Sequence, residues 1–132
     1  MALMIFNSET RQKELFQTLH PNLVNMYVCG VTVYDSAHIG HARASVVFDV
    51  VRRYLEYRGY QVSFVRNFTD IDDKIIQKSH AENCEWKQIT EKYIDEYTLD
   101  MQALAVLCPS YEPRATEYIS QMIDMISKLI QK

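Results

Sequence analysis

The chain is poor in the residues that staple, span or link. It has only three cysteines, three prolines and three glycines in 132 residues. Cys29, Cys84 and Cys108 are odd in number, widely spaced and form no CxxC pair, which excludes a disulfide framework and favours reduced thiols. No apolar run approaches the roughly 20 residues that cross a bilayer, and the N-terminus lacks the basic-then-apolar order of a secretory signal, so a cytoplasmic location is expected. There is no Gly/Ser-rich linker, no low-complexity stretch and no internal repeat. Positive charge is not in excess either. A net charge of −3 excludes the overall basic field of a nucleic-acid-binding domain, although Arg52, Arg53, Arg58, Arg66, Lys74 and Lys78 make the middle of the chain locally basic. Taken alone, those residues read as a solvated mixed-charge surface.

At 48% hydrophobic and 23% charged, the chain has the composition of an ordinary globular protein able to bury one modest core. Leu23 to Val28 is a short apolar run ending at Cys29-Gly30, which predicts a buried strand and a turn. From about Gly40 to Arg58, Val47, Val50, Val51 and Tyr54 fall on one helical stripe and Asp49, Arg52, Arg53 and Glu56 on another, which predicts an amphipathic helix with the valines inward. Gly59 offers a left-handed helix stop, and Tyr60 to Arg66 alternates as a second strand. Strand, crossover helix and strand make a right-handed parallel unit, whose ligands bind beyond the strands' carboxyl ends. Further on, Ile94, Tyr97, Met101, Leu104 and Cys108 repeat at helical spacing, Pro109 and Pro113 interrupt, and Ile119, Met122, Ile123, Ile126 and Ile130 begin another packing helix. Two strands and a few helices form too small a sheet to cover every apolar face, so residues 1–132 are expected to be one part of a larger domain.

The chemistry concentrates at the strand ends. His38-Ile39-Gly40-His41 places two imidazoles three apart at a helix start, where unpaired amides and the positive end of the dipole welcome an anion. Gly40 leaves room for a triphosphate, and the imidazoles follow charge as it develops on phosphate. The plainer reading is a surface helix capped by Asp35 or Ser36, which explains Asp35 but not Gly40. His20 and His80 lack such context and read as surface residues. Cys29 is either a small core thiol or a thiolate presented to the crevice as a zinc ligand; one cysteine without a second ligand cluster does not make a zinc site, and the core reading carries more weight. Asp70, Asp72 and Asp73 are candidates for a magnesium ion near the phosphates, but carboxylates at a helix start more commonly cap it. Asn67 and Thr69 are neutral hydrogen-bonding groups at a strand's carboxyl end, better placed for ligand contact. Cys84, Trp86 and Cys108 read as packing residues.

Together, Tyr27-Val28-Cys29-Gly30-Val31-Thr32-Val33-Tyr34-Asp35, the His38–His41 tetrapeptide and Asn67-Phe68-Thr69-Asp70-Ile71-Asp72-Asp73-Lys74 closely resemble the start of bacterial cysteinyl-tRNA synthetases. Ile5 to Ser8, Thr10 to Glu14 and Glu112 to Thr116 also resemble that family, so the likeness spans essentially the whole chain. It implies an α/β fold, the first half of a class I Rossmann-type nucleotide-binding catalytic domain with parallel strands and crossover helices. It also implies a two-step reaction in which ATP and L-cysteine form cysteinyl-adenylate and the cysteinyl group passes to tRNA(Cys), in a cytoplasmic monomer. By position, Cys29 would be one of four ligands to a zinc ion that binds the substrate thiolate, and His38, Gly40 and His41 would hold the ATP phosphates, with magnesium. Gly30, Thr32 and Thr69 would line the cysteine and adenylate pocket. A metal–thiolate bond that serine's hydroxyl cannot match would supply the selectivity. The family's Lys-Met-Ser-Lys-Ser loop and remaining zinc ligands are absent from these 132 residues, so the chain alone is expected neither to hold zinc tightly nor to charge tRNA.

Three other readings compete. A ligase passing the same adenylate to an amino sugar tends to carry Pro and Leu where this chain has Val33 and Ile39. Small nucleotidyltransferases pair a similar histidine motif with a late Ser/Thr-rich basic segment, and Ile119-Ser120-Gln121 lacks the basic residue. The third is a catalytically inert nucleotide-binding fragment.

Overall fold

The computed structural model describes residues 2–132. The predicted β-α-β unit is present: strand β3 (Leu23–Val28), helix α1 (Ile39–Tyr57) and strand β4 (Gln61–Arg66), with β3 and β4 paired in parallel from Leu23 opposite Gln61 to Val28 opposite Arg66. Helix α1 stops as its sequence dictates. Gly59 takes φ +88°, its amide bonds to Glu56, and the Tyr60 amide reaches back to Leu55, a Schellman closure that a side chain at position 59 would strain.

Ahead of this unit lies an antiparallel hairpin, β1 (Met4–Asn7) with β2 (Gln12–Leu15), which the hydrophobic pattern does not predict. After it come α2 (Asp73–Glu82), α3 (Trp86–Ala103), a short 3-10 turn (Ala115–Tyr118) and α4 (Ile119–Ile130). The segment between α3 and that turn adds a third, irregular edge to the sheet. Val65 bridges to Tyr111 and Phe68 to Arg114, while the Arg66 and Phe68 amides bond the Tyr111 and Pro113 carbonyls.

The main core is formed by Val33, Phe68, Ile75, Ile89, Tyr93, Ile94, Tyr97, Met101 and Val106, drawn from α2, α3 and the segments that follow β3, β4 and α3. Cys84 and Trp86 pack against it as expected, whereas Leu104 and Cys108 leave the helical pattern and are exposed, because α3 ends at Ala103 and Ala105 adopts φ +55°.

Three expectations are corrected. Of β3 only Val24 is fully buried, so the strand is half-covered, not a buried one. Helix α1 leaves its apolar stripe uncovered: Val47, Val50, Val51 and Tyr54 are exposed, as are Arg53 and Glu56 of the polar stripe, and only Asp49 and Leu55 are buried. The reason is a polar tie. Asp49 accepts from the Leu107 amide at 3.0 Å and from Arg53 Nε at 2.6 Å, and Arg53 and Arg52 donate to the Ala105 and Cys108 carbonyls, which fastens this face of the helix to the chain after α3. Finally, α4 keeps its apolar stripe but leaves it largely uncovered: Met122, Ile123, Ile126 and Ile130 are all exposed. No described helix is long and apolar enough to cross a membrane.

Candidate active site at the strand ends

The three motif segments converge beyond the carboxyl ends of β3 and β4. Thr32 bridges to Thr69, the Thr69 amide bonds the Val31 carbonyl at 2.9 Å, and Val33, 1% exposed, pins the loop into the core. Asp35 at the loop's far end pairs with Lys78 of α2 at 3.1 Å. The Lys78 ammonium holds the Asp35 carboxyl below its usual range, and the Tyr93 hydroxyl, then Asp35, hold Lys78 above its own. Such an exposed pair adds little stability, but it orders the approach to α1.

Neither Asp35 nor Ser36 caps α1; the histidines do so themselves. His38 is the N-cap residue, its Nδ1 accepting the Gly40 amide at 3.0 Å, and His41 Nδ1 accepts the His38 amide at 3.3 Å. The two rings stack with centroids 3.9 Å apart. A nitrogen that accepts an N–H bond bears no proton, so with these bonds formed each neutral ring carries its proton on Nε2, which is a donor. Burial, and then the neighbouring His38, push the His41 pKa below the ordinary imidazole value. A Cβ on Gly40 would lie 2.7 Å from His38 Cε1, so a side chain there would displace the His38 ring from its place over the helix start.

Cys29 is exposed, which removes the core-thiol reading. Together with Gly30 and His41 it lines a cavity of about 110 Å3 whose walls include Ser45, Phe48, Phe64, Arg66 and Tyr97. Within that wall, Ser45 shares a 2.8 Å bond with the Tyr97 hydroxyl, and buried Arg66 lies over the Tyr97 ring and pairs with Glu112 at 2.7 Å. Thr32 and Thr69 meet at the strand ends and His38 stacks on His41, but none of the three lines that cavity.

The aspartates are otherwise engaged. Asp72 caps α2 by accepting the Lys74 amide, Asp73 sits in that helix's first turn, and buried Asp70 accepts from the Thr116 amide and hydroxyl at 2.9 and 2.5 Å. Among the described residues no three His, Cys, Asp or Glu side chains are grouped to hold a metal ion. Cys29 is therefore a single thiolate donor, and these residues alone do not fit a zinc centre. His20 and His80 are exposed, as expected. Sequence reasoning misses the Ser45–Tyr97–Arg66–Glu112 group, whose members come from four separate segments and carry no shared spacing.

A second cavity of about 310 Å3, mostly apolar, lies between Tyr27, Asn67, Arg114 and the Tyr118, Met122 and Met125 side chains. It contains no histidine, cysteine or carboxylate.

Comparison with known proteins agrees with this geometry. The chain is 52% identical to the cysteine–tRNA ligase of Geobacter sulfurreducens over 132 residues, covering all of this chain and 27% of that protein. It is 54% identical to the cysteine–tRNA ligase of Hydrogenovibrio crunogenus, covering all of this chain and 29% of the relative. The chain thus spans little more than a quarter of the length of these curated relatives. Among solved structures, Mycobacterium tuberculosis methionyl-tRNA synthetase in complex with methionyl-adenylate superposes with a TM-score of 0.61 at 18% identity, over 64% of this chain and 16% of that one, which supports a Rossmann-type α/β half. The family described as the tRNA synthetases class I (C) catalytic domain matches residues 15–132, and to that family the chain belongs.

Proposed function

We propose that residues 1–132 form the N-terminal portion of the catalytic domain of a cysteine–tRNA ligase. The observation that carries this reading is the meeting of Cys29 and His41 in one cavity at the strand ends, in a chain of this family. In the first step a carboxylate oxygen of L-cysteine attacks the α-phosphorus of ATP, forming cysteinyl-adenylate as pyrophosphate leaves. In the second, a terminal ribose hydroxyl of tRNA(Cys) attacks the cysteinyl carbonyl and AMP leaves.

The chain's own contribution is to hold charge. With Nδ1 of each ring committed to the backbone, the Nε2–H groups of His38 and His41 are aimed donors for phosphate oxygens, and donors fixed before reaction cost no reorganisation as charge develops. Gly40 completes the cradle: when a phosphate arrives, it competes with His38 Nδ1 for the Gly40 amide. Gly30, Thr32 and Thr69 border the cysteine side of the site. Zinc, when bound, supplies a soft Lewis acid for the substrate thiolate. Cys29 would be this chain's donor to it, with the others drawn from outside residues 2–132. Magnesium would accompany ATP, and buried Asp70 is already committed to the Thr116 amide and hydroxyl. Cytoplasmic location and a monomeric state complete the proposal.

The test is ATP–pyrophosphate exchange by the whole protein carrying this chain. Exchange that depends on L-cysteine and is not supported by L-serine is expected, and exchange that ignores cysteine sinks the reading. Cysteine transfer to tRNA(Cys) and not to a glucosamine acceptor separates it from the amino-sugar ligases.

A further inference from the structure

The β3–β4 ladder slips by one residue where Cys29 leaves it. Val28 pairs with Arg66 but Thr32 pairs with Thr69, so three residues, Cys29 to Val31, stand opposite two, Asn67 and Phe68. An extra residue in one strand leaves a backbone group without its ladder partner and turns the chain outward. The Gly30 amide is the displaced donor here, and a side chain accepts it: Asn67 Oδ1, at 2.9 Å. The same oxygen accepts the Tyr27 hydroxyl at 2.8 Å, and Asn67 Nδ2 donates to Thr69 Oγ1 at 3.3 Å. The Asn67 backbone closes in as well. A Cβ built on Gly30 would lie 1.4 Å from the Asn67 carbonyl oxygen, so only glycine fits against it.

We infer that Asn67 is a positioning residue for the cysteine side of the site: its side-chain amide replaces the missing ladder bond at Gly30, fixes the turn that presents Cys29 to the cavity, and orients Thr69. It rests on the ligase reading above, and the side-chain oxygen serves the Gly30 and Tyr27 donors while one N–H of the amide serves Thr69. Asparagine suits this position because one planar group offers an acceptor to the Gly30 and Tyr27 donors and a donor to Thr69.

Two measurements test it. In the chain itself, amide hydrogen exchange by NMR should show the Gly30 N–H exchanging about ten-fold faster in Asn67→Ala, the scale of one lost hydrogen bond, while the Leu23–Val28 ladder amides keep their protection. Unchanged Gly30 exchange in a folded variant overturns the inference. Should Asn67→Ala fail to fold, Asn67→Asp keeps the acceptor and loses only the donor to Thr69; Gly30 protection should then stay at the wild-type level, and its loss overturns the inference equally. In the whole protein, Asn67→Ala should raise KM for cysteine in pyrophosphate exchange about ten-fold, with KM for ATP within about two-fold. Equal shifts in both constants, or none in either, overturn it. Wild-type protein lacking cysteine-dependent exchange would instead remove the ligase reading, and the Gly30 result would still stand or fall by itself.

Discussion

Helices α1 and α2 each follow one of the two parallel strands, yet their first turns are built from opposite chemistry. Helix α2 is capped by the Asp72 carboxylate and carries Asp73 in its first turn, so its positive end is already compensated. Helix α1 has no acidic residue in its first turn and is capped by the neutral imidazoles of His38 and His41. The first arrangement stabilises a helix; the second leaves the positive end open to an anion from outside. Two helix starts that look alike in a strand-helix pattern are thus separated by the charge of the capping group, and only α1 leaves its positive end without a carboxylate.

The sharpest way to break the contrast is to give α1 the chemistry of α2. His38→Asp keeps a capping acceptor and adds a charge that favours the helix, so the melting temperature should hold or rise, while cysteine-dependent pyrophosphate exchange by the whole protein should vanish because a carboxylate now faces the phosphates. Activity surviving that substitution would mean the phosphates do not sit at α1. Next in size, His41→Ala should lower the exchange rate by about 10²–10³-fold, the range for one preorganised donor on a developing anion; a change in KM for ATP at constant kcat would mean the ring serves ground-state binding alone. On the other helix, Asp72→Ala should cost about 1 kcal/mol of stability in chemical denaturation, the usual effect of removing an N-cap.

The smallest effect is one of pH. His41 titrates below its ordinary value of 6.5, and its neutral Nδ1 accepts the His38 amide. A depressed folded-state pKa means the contribution is complete above 6.5 and fades as pH falls through the lowered value, when Nδ1 gains a proton and can no longer accept. Exchange protection of the His38 amide should therefore decline below pH 6.5, and protection that persists well into acid would show that the cap does not depend on the ring.

Much of this architecture is legible in the sequence. The β3–α1–β4 unit follows from an apolar run, a helical stripe, one glycine and an alternating strand, and its motifs fall at the strand ends because parallel units put them there. What stays hidden is hidden for physical reasons. The β1–β2 hairpin turns through Arg11, at φ +58°, without the glycine that advertises such a bend. The packed face of α1 escapes a hydropathy pattern because that pattern scores Asp49 as a surface residue, whereas here it is buried as the acceptor for Leu107 and Arg53. The cap falls to Asp35 or Ser36 on residue type alone, since those types lead the N-cap preferences and imidazole is not among them. Asn67 stands in the motif, but the ladder slip that gives it work is a property of two strands and not of either sequence.

Gly30 and Asn67 are 37 residues apart in the chain, and their contact has consequences for how the protein comes to life. No local segment can make this site. Closing so long a loop costs entropy that is recovered only when the parallel strands zip, which makes such pairings slow relative to helix formation. On the ribosome, α1 can wind as soon as it emerges, but Cys29 gains its fixed backbone only after Asn67 has left the exit tunnel, and the sheet gains its third edge only after Tyr111 has followed. Helical structure should precede the cavity during synthesis, so the histidine-capped helix end forms before the walls that stand beside it.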